Sequence, residues 1–144
     1  MKLVSPVRPF RGTRGFDAYG SGTFGASRDG GARAHLGRDY VALPGDQVVS
    51  PIDGIVKRHA KAYPDADLAG LEIEGAGVRA KLLYVLPCVE PGEKVKAGQV
   101  IGTAQDVASY HEKRSPRPGR MVNHVHCELM VWVDPEDYMG QKSA

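Results

Sequence analysis

The chain has 144 residues, 42% hydrophobic and 25% charged, a length and balance that suit one soluble domain with its own core and imply no second. Its 19 basic and 17 acidic residues leave a formal charge of +2, too even to point by itself to nucleic acid or a membrane surface. The opening Met1-Lys2-Leu3-Val4-Ser5-Pro6 holds no apolar run long enough for a secretory leader, and no later stretch approaches a transmembrane span, so synthesis in the cytoplasm without membrane insertion is expected.

From Arg11 to Gly31 the chain is rich in Gly and Arg, with single aromatics at Phe16, Tyr19 and Phe24. Such a composition predicts an irregular segment laid over a surface. A Gly/Arg-rich RNA-binding tail is the competing interpretation, but the segment is not repetitive and runs directly into a His/Asp motif. Residues 1–19 are accordingly expected to be an irregular N-terminal segment and residues 20–144 a single β domain. Strand-like runs bounded by Gly, Pro and Asp follow at Gln47–Val49, Gly54–Arg58, Leu71–Glu74, Val78–Leu86, Gln99–Thr103 and His124–Val133. Only Asp106 to Lys113 reads as helix, ended by Pro116-Arg117-Pro118-Gly119. The two cysteines, Cys88 and Cys127, form no Cys-x-x-Cys pair and read as buried thiols of a reducing compartment.

An internal repeat narrows the architecture. Pro44-Gly45-Asp46-Gln47-Val48 feeds one short apolar unit, and Pro91-Gly92-Glu93-Lys94-Val95 feeds another through Gly98-Gln99-Val100-Ile101-Gly102. Paired Pro-Gly-acid turns of this kind resemble the half-motifs of barrel-sandwich hybrid folds, which occur in biotinyl and lipoyl carriers, sugar-phosphotransfer domains and lysostaphin-type peptidases. The fold class expected is therefore mainly β, with antiparallel sheets in a barrel-sandwich hybrid. A biotin-type Met-Lys-Met signature is missing, and Lys96 precedes only Ala97-Gly98.

Two patterns carry chemistry. His35-Leu36-Gly37-Arg38-Asp39 offers an imidazole and a carboxylate four residues apart, and His124-Val125-His126 sets two imidazoles on one face of an extended strand. Three protein ligands drawn from His and Asp leave a tetrahedral zinc ion one open position, the arrangement of a hydrolytic site. The remaining residue, His124 or His126, is then free to move protons.

Phe24-Gly25-Ala26-Ser27-Arg28, the His35 to Asp39 motif, Val49-Ser50-Pro51-Ile52-Asp53-Gly54-Ile55-Val56, Gly98-Gln99-Val100-Ile101-Gly102 and His124-Val125-His126-Cys127-Glu128-Leu129 occur in the order of the lysostaphin/LytM-type zinc endopeptidases. The chain resembles that family over roughly residues 20 to 138. The resemblance implies a duplicated hybrid motif, a Zn2+ ion held by His35, Asp39 and His126, His124 as catalytic base, and cleavage of peptide bonds in bacterial peptidoglycan. It also implies an oxyanion-binding histidine in a Tyr-x-His element, where this chain reads Tyr84-Val85-Leu86. Leucine offers no donor, so Tyr84, or Tyr40 beside the metal motif, is the expected substitute. A noncatalytic, zinc-binding branch of chemotaxin-like secreted proteins also lacks that histidine, which makes a module that grips cell-wall peptides without cutting them the alternative. Those proteins carry disulfides and are secreted, so phage or bacterial members without a leader are the nearer match. The implied partners are a peptidoglycan peptide and phage lysis or virion proteins, with no nucleic acid, and the implied state is a monomer acting at the cell wall once released.

Four further residues carry expectations. His59 follows Lys57-Arg58 and reads as a solvated strand residue; His111, in the basic connection leading to His124, reads as a solvated loop residue or a substrate contact. Cys127 should pack inward with Val125 and Leu129, and Glu128, on the face of His126, either accepts its second N–H or meets solvent.

Overall fold

Short β-branched runs punctuated by glycine and proline favour many brief strands over long helices. The computed structural model describes residues 3–140. The first five strands are β1 (Val7–Arg8), β2 (Phe16–Asp17), β3 (Gly20–Ser21), β4 (Ser27–Arg28) and β5 (Arg33–Ala34). The longer ones follow: β6 (Arg38–Val41), β7 (Gln47–Val49), β8 (Gly54–Lys61), β9 (Ala69–Gly75), β10 (Val78–Leu83) and β11 (Val85–Pro87). The chain continues through β12 (Lys94–Val95), β13 (Val100–Ala104), helix α1 (Val107–Arg114) and β14 (His124–Val131).

Two antiparallel sheets enclose the core, one of six strands in the order β12-β8-β9-β10-β14-β6 and one of four in the order β1-β7-β13-β11. Neither closes into a barrel among the described residues. Alternation decides what faces inward: Leu71 and Ile73 of β9, Ala80 and Leu82 of β10 and Val125 of β14 meet Val48, Val85 and Ile101 of the smaller sheet in one buried cluster. Each large aliphatic side chain removed from water there contributes about 1.5–3 kcal/mol.

The repeat read from the sequence is a structural duplication. β7, after the first Pro-Gly turn, pairs with β13, after the second, with Val49 opposite Val100. β8 likewise pairs with β12, Ile55 opposite Lys94. Both turns need glycine because Gly45 and Gly92 take φ values of 91° and 96°.

Several expectations are corrected. The segment before residue 20 is not merely irregular, since β1 pairs with β7 and Val7 enters the core. The run Val78–Leu86 is broken at Tyr84, whose φ of 67° turns the chain out of the larger sheet and into the smaller. Helix α1 runs one residue beyond the expected end and is capped by Asp106, whose side chain accepts from the Ser109 N–H. β14 stops at Val131, and Leu129 is 42% exposed rather than packed in the core with Val125 and Cys127. Cys127 is buried as expected, but Cys88 is exposed, for Val89 takes the inward position beside it. Both cysteines are free.

Burial pushes the Cys127 thiol up to about 12, which withholds the reactive thiolate. Titration of the native protein with an aromatic disulfide reagent is expected to modify Cys88 quickly and Cys127 only after unfolding. Equal rates for both would contradict the packing of β14.

Candidate metal centre

The pairing of β6 with β14 sets Asp39 directly opposite His126. Because Val125 and Cys127 point into the core, His124 and His126 share the other face of β14 with Asp39. His35 arrives from the turn before β6, pinned by backbone bonds to Gly25 and Ala26. That turn can lie against β14 only because residue 37 is glycine: a Cβ there would sit 2.4 Å from the Cys127 carbonyl oxygen and 2.8 Å from His126 Cε1.

Three polar atoms converge as a result. His35 Nε2 lies 2.9 Å from His126 Nδ1 and 3.1 Å from Asp39 Oδ1, and His126 Nδ1 lies 3.2 Å from the same oxygen. All three residues are buried. The outer ring nitrogens have partners of their own: His35 Nδ1 donates to Thr23 O at 2.8 Å and His126 Nε2 donates to Glu128 Oε1 at 2.9 Å. With those protons outside, the inner atoms are two lone pairs and a carboxylate oxygen aimed at one point. A cation satisfies all three. The edges fit as well, since a tetrahedral ion with bonds of ~2.0 Å spans ligand separations of about 3.3 Å. Of the two positions open to it from the sequence, Glu128 takes the N–H-accepting one rather than the solvent-facing one.

Asp39 is ionised against the odds of its location. Burial opposes its charge, but the close approach of His126 and the neighbouring imidazoles of His124 and His35 hold its carboxyl at about 2. Its outer oxygen, Oδ2, accepts from Arg14 Nη1 at 2.9 Å. Arg14 is itself 3% exposed and donates through Nε and Nη2 to both carboxylate oxygens of Asp17, each at 2.8 Å.

His124 stands beside the triangle rather than in it. Its Nδ1 donates to Val122 O at 2.8 Å and its Nε2 lies 3.4 Å from Asp39 Oδ2. Burial, only partly opposed by Asp39, pushes its pKa down to about 4, so the ring is a neutral base at ordinary pH. The Tyr84 ring meets it edge-on at 5.3 Å. Burial and the adjacent Tyr63 raise the Tyr84 phenol pKa far above the usual range, which keeps its proton in place. Tyr84 Oη is 2.9 Å from Tyr63 Oη, and Tyr63 Oη is 2.9 Å from His111 Nε2.

Sequence reasoning missed Tyr63 and Arg14. Tyr63 follows β8 with no motif around it, and Arg14 is one arginine among several in a Gly/Arg-rich stretch. His111 is a helical residue facing the site, not a solvated loop residue, whereas His59 is solvated on β8 as expected. Tyr40 is excluded as a donor to the site: it alternates away from Asp39 along β6 and packs against the core. Leu86 does not line the cleft. It lies on β11 of the smaller sheet, 56% exposed, outside the cleft of about 490 Å³ that Tyr84, His111 and the histidine cluster line.

With this geometry, comparison with solved structures is informative. The chain is similar to a zinc containing peptidase from Vibrio cholerae, at 24% identity and a TM-score of 0.63, over 91% of this chain and 37% of that one. It is also similar to the catalytic domain of the antimicrobial peptidase lysostaphin from Staphylococcus simulans, at 24% identity and a TM-score of 0.52, over 80% and 79% of the two chains. The chain has the lysostaphin/LytM-type peptidase fold. Among curated proteins it is 30% identical over 136 residues to myeloid protein 1 of Gallus gallus, a match that takes in 92% of this chain but only 39% of that protein's length. No family model matches the sequence.

In this lysostaphin-type fold the Arg14 guanidinium is the balancing charge for two largely buried carboxylates. Arg14→Met is expected to lower stability in urea unfolding by about 3 kcal/mol, because removing one partner strands the other charges. A change within about 0.5 kcal/mol, the range of ordinary surface substitutions, would contradict that role.

Proposed function

We propose that the chain is a zinc-dependent metalloendopeptidase that hydrolyses peptide bonds in bacterial cell-wall peptidoglycan, with Zn2+ held by His35, Asp39 and His126. The observation that carries the reading is the buried convergence of two imidazole lone pairs and one carboxylate oxygen at the floor of a cleft. Zinc at that point would supply Lewis acidity, polarising the scissile carbonyl and acidifying water.

The chain's own residues supply the proton handling. His124 is neutral, is fixed through Nδ1 by Val122 O, and keeps its Nε2 lone pair in the cleft. It takes a proton from the attacking water and returns it to the leaving amine. Tyr84 replaces the missing histidine as the donor to the carbonyl oxygen as negative charge builds there. Proton direction along the chain of hydroxyls matters for this. Burial, with the charges of Arg14, Arg114 and Arg117 adding to it, lowers the His111 pKa and keeps its ring neutral. When His111 Nε2–H donates to Tyr63 and Tyr63 donates to Tyr84, the Tyr84 proton remains available to substrate.

One observation favours a second reading, a zinc-holding module that binds cell-wall peptides without cutting them. Tyr84 Oη is already within hydrogen-bond distance of Tyr63 Oη, and the opposite direction of that bond would consume its proton.

The test is incubation of the zinc-loaded chain with purified sacculi, with mass spectrometry of released peptides and metal analysis of each variant. Hydrolysis and about one zinc per chain are expected for the wild type. His35→Ala and Asp39→Ala should lose both, His124→Ala should lose hydrolysis but keep zinc, and Tyr84→Phe should lower turnover on the order of 100-fold with zinc retained. Leu86→His should change nothing, because residue 86 does not line the cleft. Zinc binding with no hydrolysis by the wild type would establish the binding module instead.

A further inference from the structure

The cleft over the His35, Asp39 and His126 triangle has a one-sided charge that peptide cleavage itself does not demand. Arg28, Arg33, Lys81 and Arg117 line it, with the buried Arg14, against the carboxylates of Asp39 and Glu128 alone. Both carboxylates are engaged within the site, Asp39 by Arg14 and the imidazoles and Glu128 by His126. Arg33 is paired with Asp29. Among the described residues, Arg28, Lys81 and Arg117 form no ion pair.

The two arginines are held in place without being neutralised. Arg28 Nη2 donates to Ser21 O at 2.7 Å and Nη1 to Ser27 O at 3.1 Å. Arg117 Nη1 donates to Ala18 O at 3.2 Å, and its guanidinium lies over the Tyr19 ring, 5.2 Å from the centroid. Tyr19 in turn donates its hydroxyl to Ser115 O at 2.9 Å, tying the segment that bears Arg117 to the β2–β3 hairpin. Backbone carbonyls orient both guanidinium groups, with the Tyr19 face added for Arg117, yet leave each its full charge and several N–H donors for a ligand. Arg28 also stands directly opposite Arg33 across the β4–β5 pair.

The placement follows the chain. Arg28 lies on the hairpin that leads into His35, and Arg117 on the connection that leads into His124, so the two cations belong to the two segments that deliver the site residues. Lys81 lies on β10 beside Glu128 of β14, next to His126 along that face.

We propose that the cleft selects an acidic peptide, with Arg28 and Arg117 as anchors for its carboxylates and Lys81 reinforcing the field. The proposal rests on the peptidase reading for the peptide backbone alone, because selection is a property of binding and stands whether or not the bound peptide is cut. A preorganised guanidinium pairs with carboxylate in a planar, bidentate manner that an amide side chain cannot match.

The test is fluorescence anisotropy of the full chain, with a chelator present so that hydrolysis plays no part, using three labelled hexapeptides that carry Glu, Gln or Lys on either side of a central Gly-Gly. The Glu peptide should bind about tenfold more tightly than the Gln peptide at low salt, with the advantage falling away as salt screens it. Arg28→Gln and Arg117→Gln should each weaken the Glu peptide about threefold and leave the Gln peptide unchanged. Equal affinity for the Glu and Gln peptides, or variants that weaken both alike, would overturn the proposal. So would a single-stranded oligonucleotide that displaces the Glu peptide at lower concentration than the Glu peptide itself. Selective binding without cleavage of sacculi would leave this proposal standing and remove only the peptidase reading.

Discussion

The antiparallel register of β6 against β14 is the constraint on which the site depends. Asp39 faces His126 across that pair, and a slip of one residue would turn every side chain of one strand to the other face. The register is held from below by Val125 and Cys127, which are buried in the core while the histidines alternate upward. It is held from the side by Gly37, whose missing side chain lets the turn carrying His35 rest on the Cys127 carbonyl. A packing requirement and a steric one thus decide where three donor atoms meet, before any ion is considered.

Electrostatics complete what packing begins. A buried carboxylate is costly, and Arg14 offsets that cost for Asp39 and Asp17 together through charge-assisted hydrogen bonds. The N-terminal hairpin that delivers Arg14 is itself sewn to β6, with Arg14 N–H donating to Asp39 O at 2.8 Å and Asp39 N–H donating to Gly22 O at 3.0 Å. A Cβ at Gly22 would meet the Cβ atoms of both Arg14 and Asp39 at 2.9 Å, so this close approach also needs glycine. The Gly/Arg-rich stretch is therefore a structural wall of the site. Its glycines permit contact and one of its arginines carries the balancing charge.

How much could be read from sequence follows from the range of each interaction. His124 and His126 were legible because strand alternation is local, and Glu128 was legible for the same reason. The duplicated Pro-Gly turns announced two equivalent units because their glycines answer a local φ requirement. The Tyr63, Tyr84 and His111 chain was not legible as a unit. Its members come from the end of β8, the break between β10 and β11, and helix α1, and only tertiary packing brings them within hydrogen-bond reach. The same break at Tyr84 separates it from Leu86: a continuous strand would put both on one face, whereas the positive φ reorients the chain between them. Arg14 was hidden by its neighbours, since burial of one arginine among several leaves no mark on composition.

On the proposed reading, two imidazoles and one carboxylate would hold the cation, and His124 would stand outside its coordination sphere. X-ray absorption at the zinc edge of the purified chain tests this most directly. A first shell of nitrogen and oxygen near ~2.0 Å, with outer-shell scattering from two imidazoles and no sulfur, is the predicted result. Scattering from three imidazoles, or a sulfur shell near ~2.3 Å, would contradict it by bringing His124 or a cysteine to the metal.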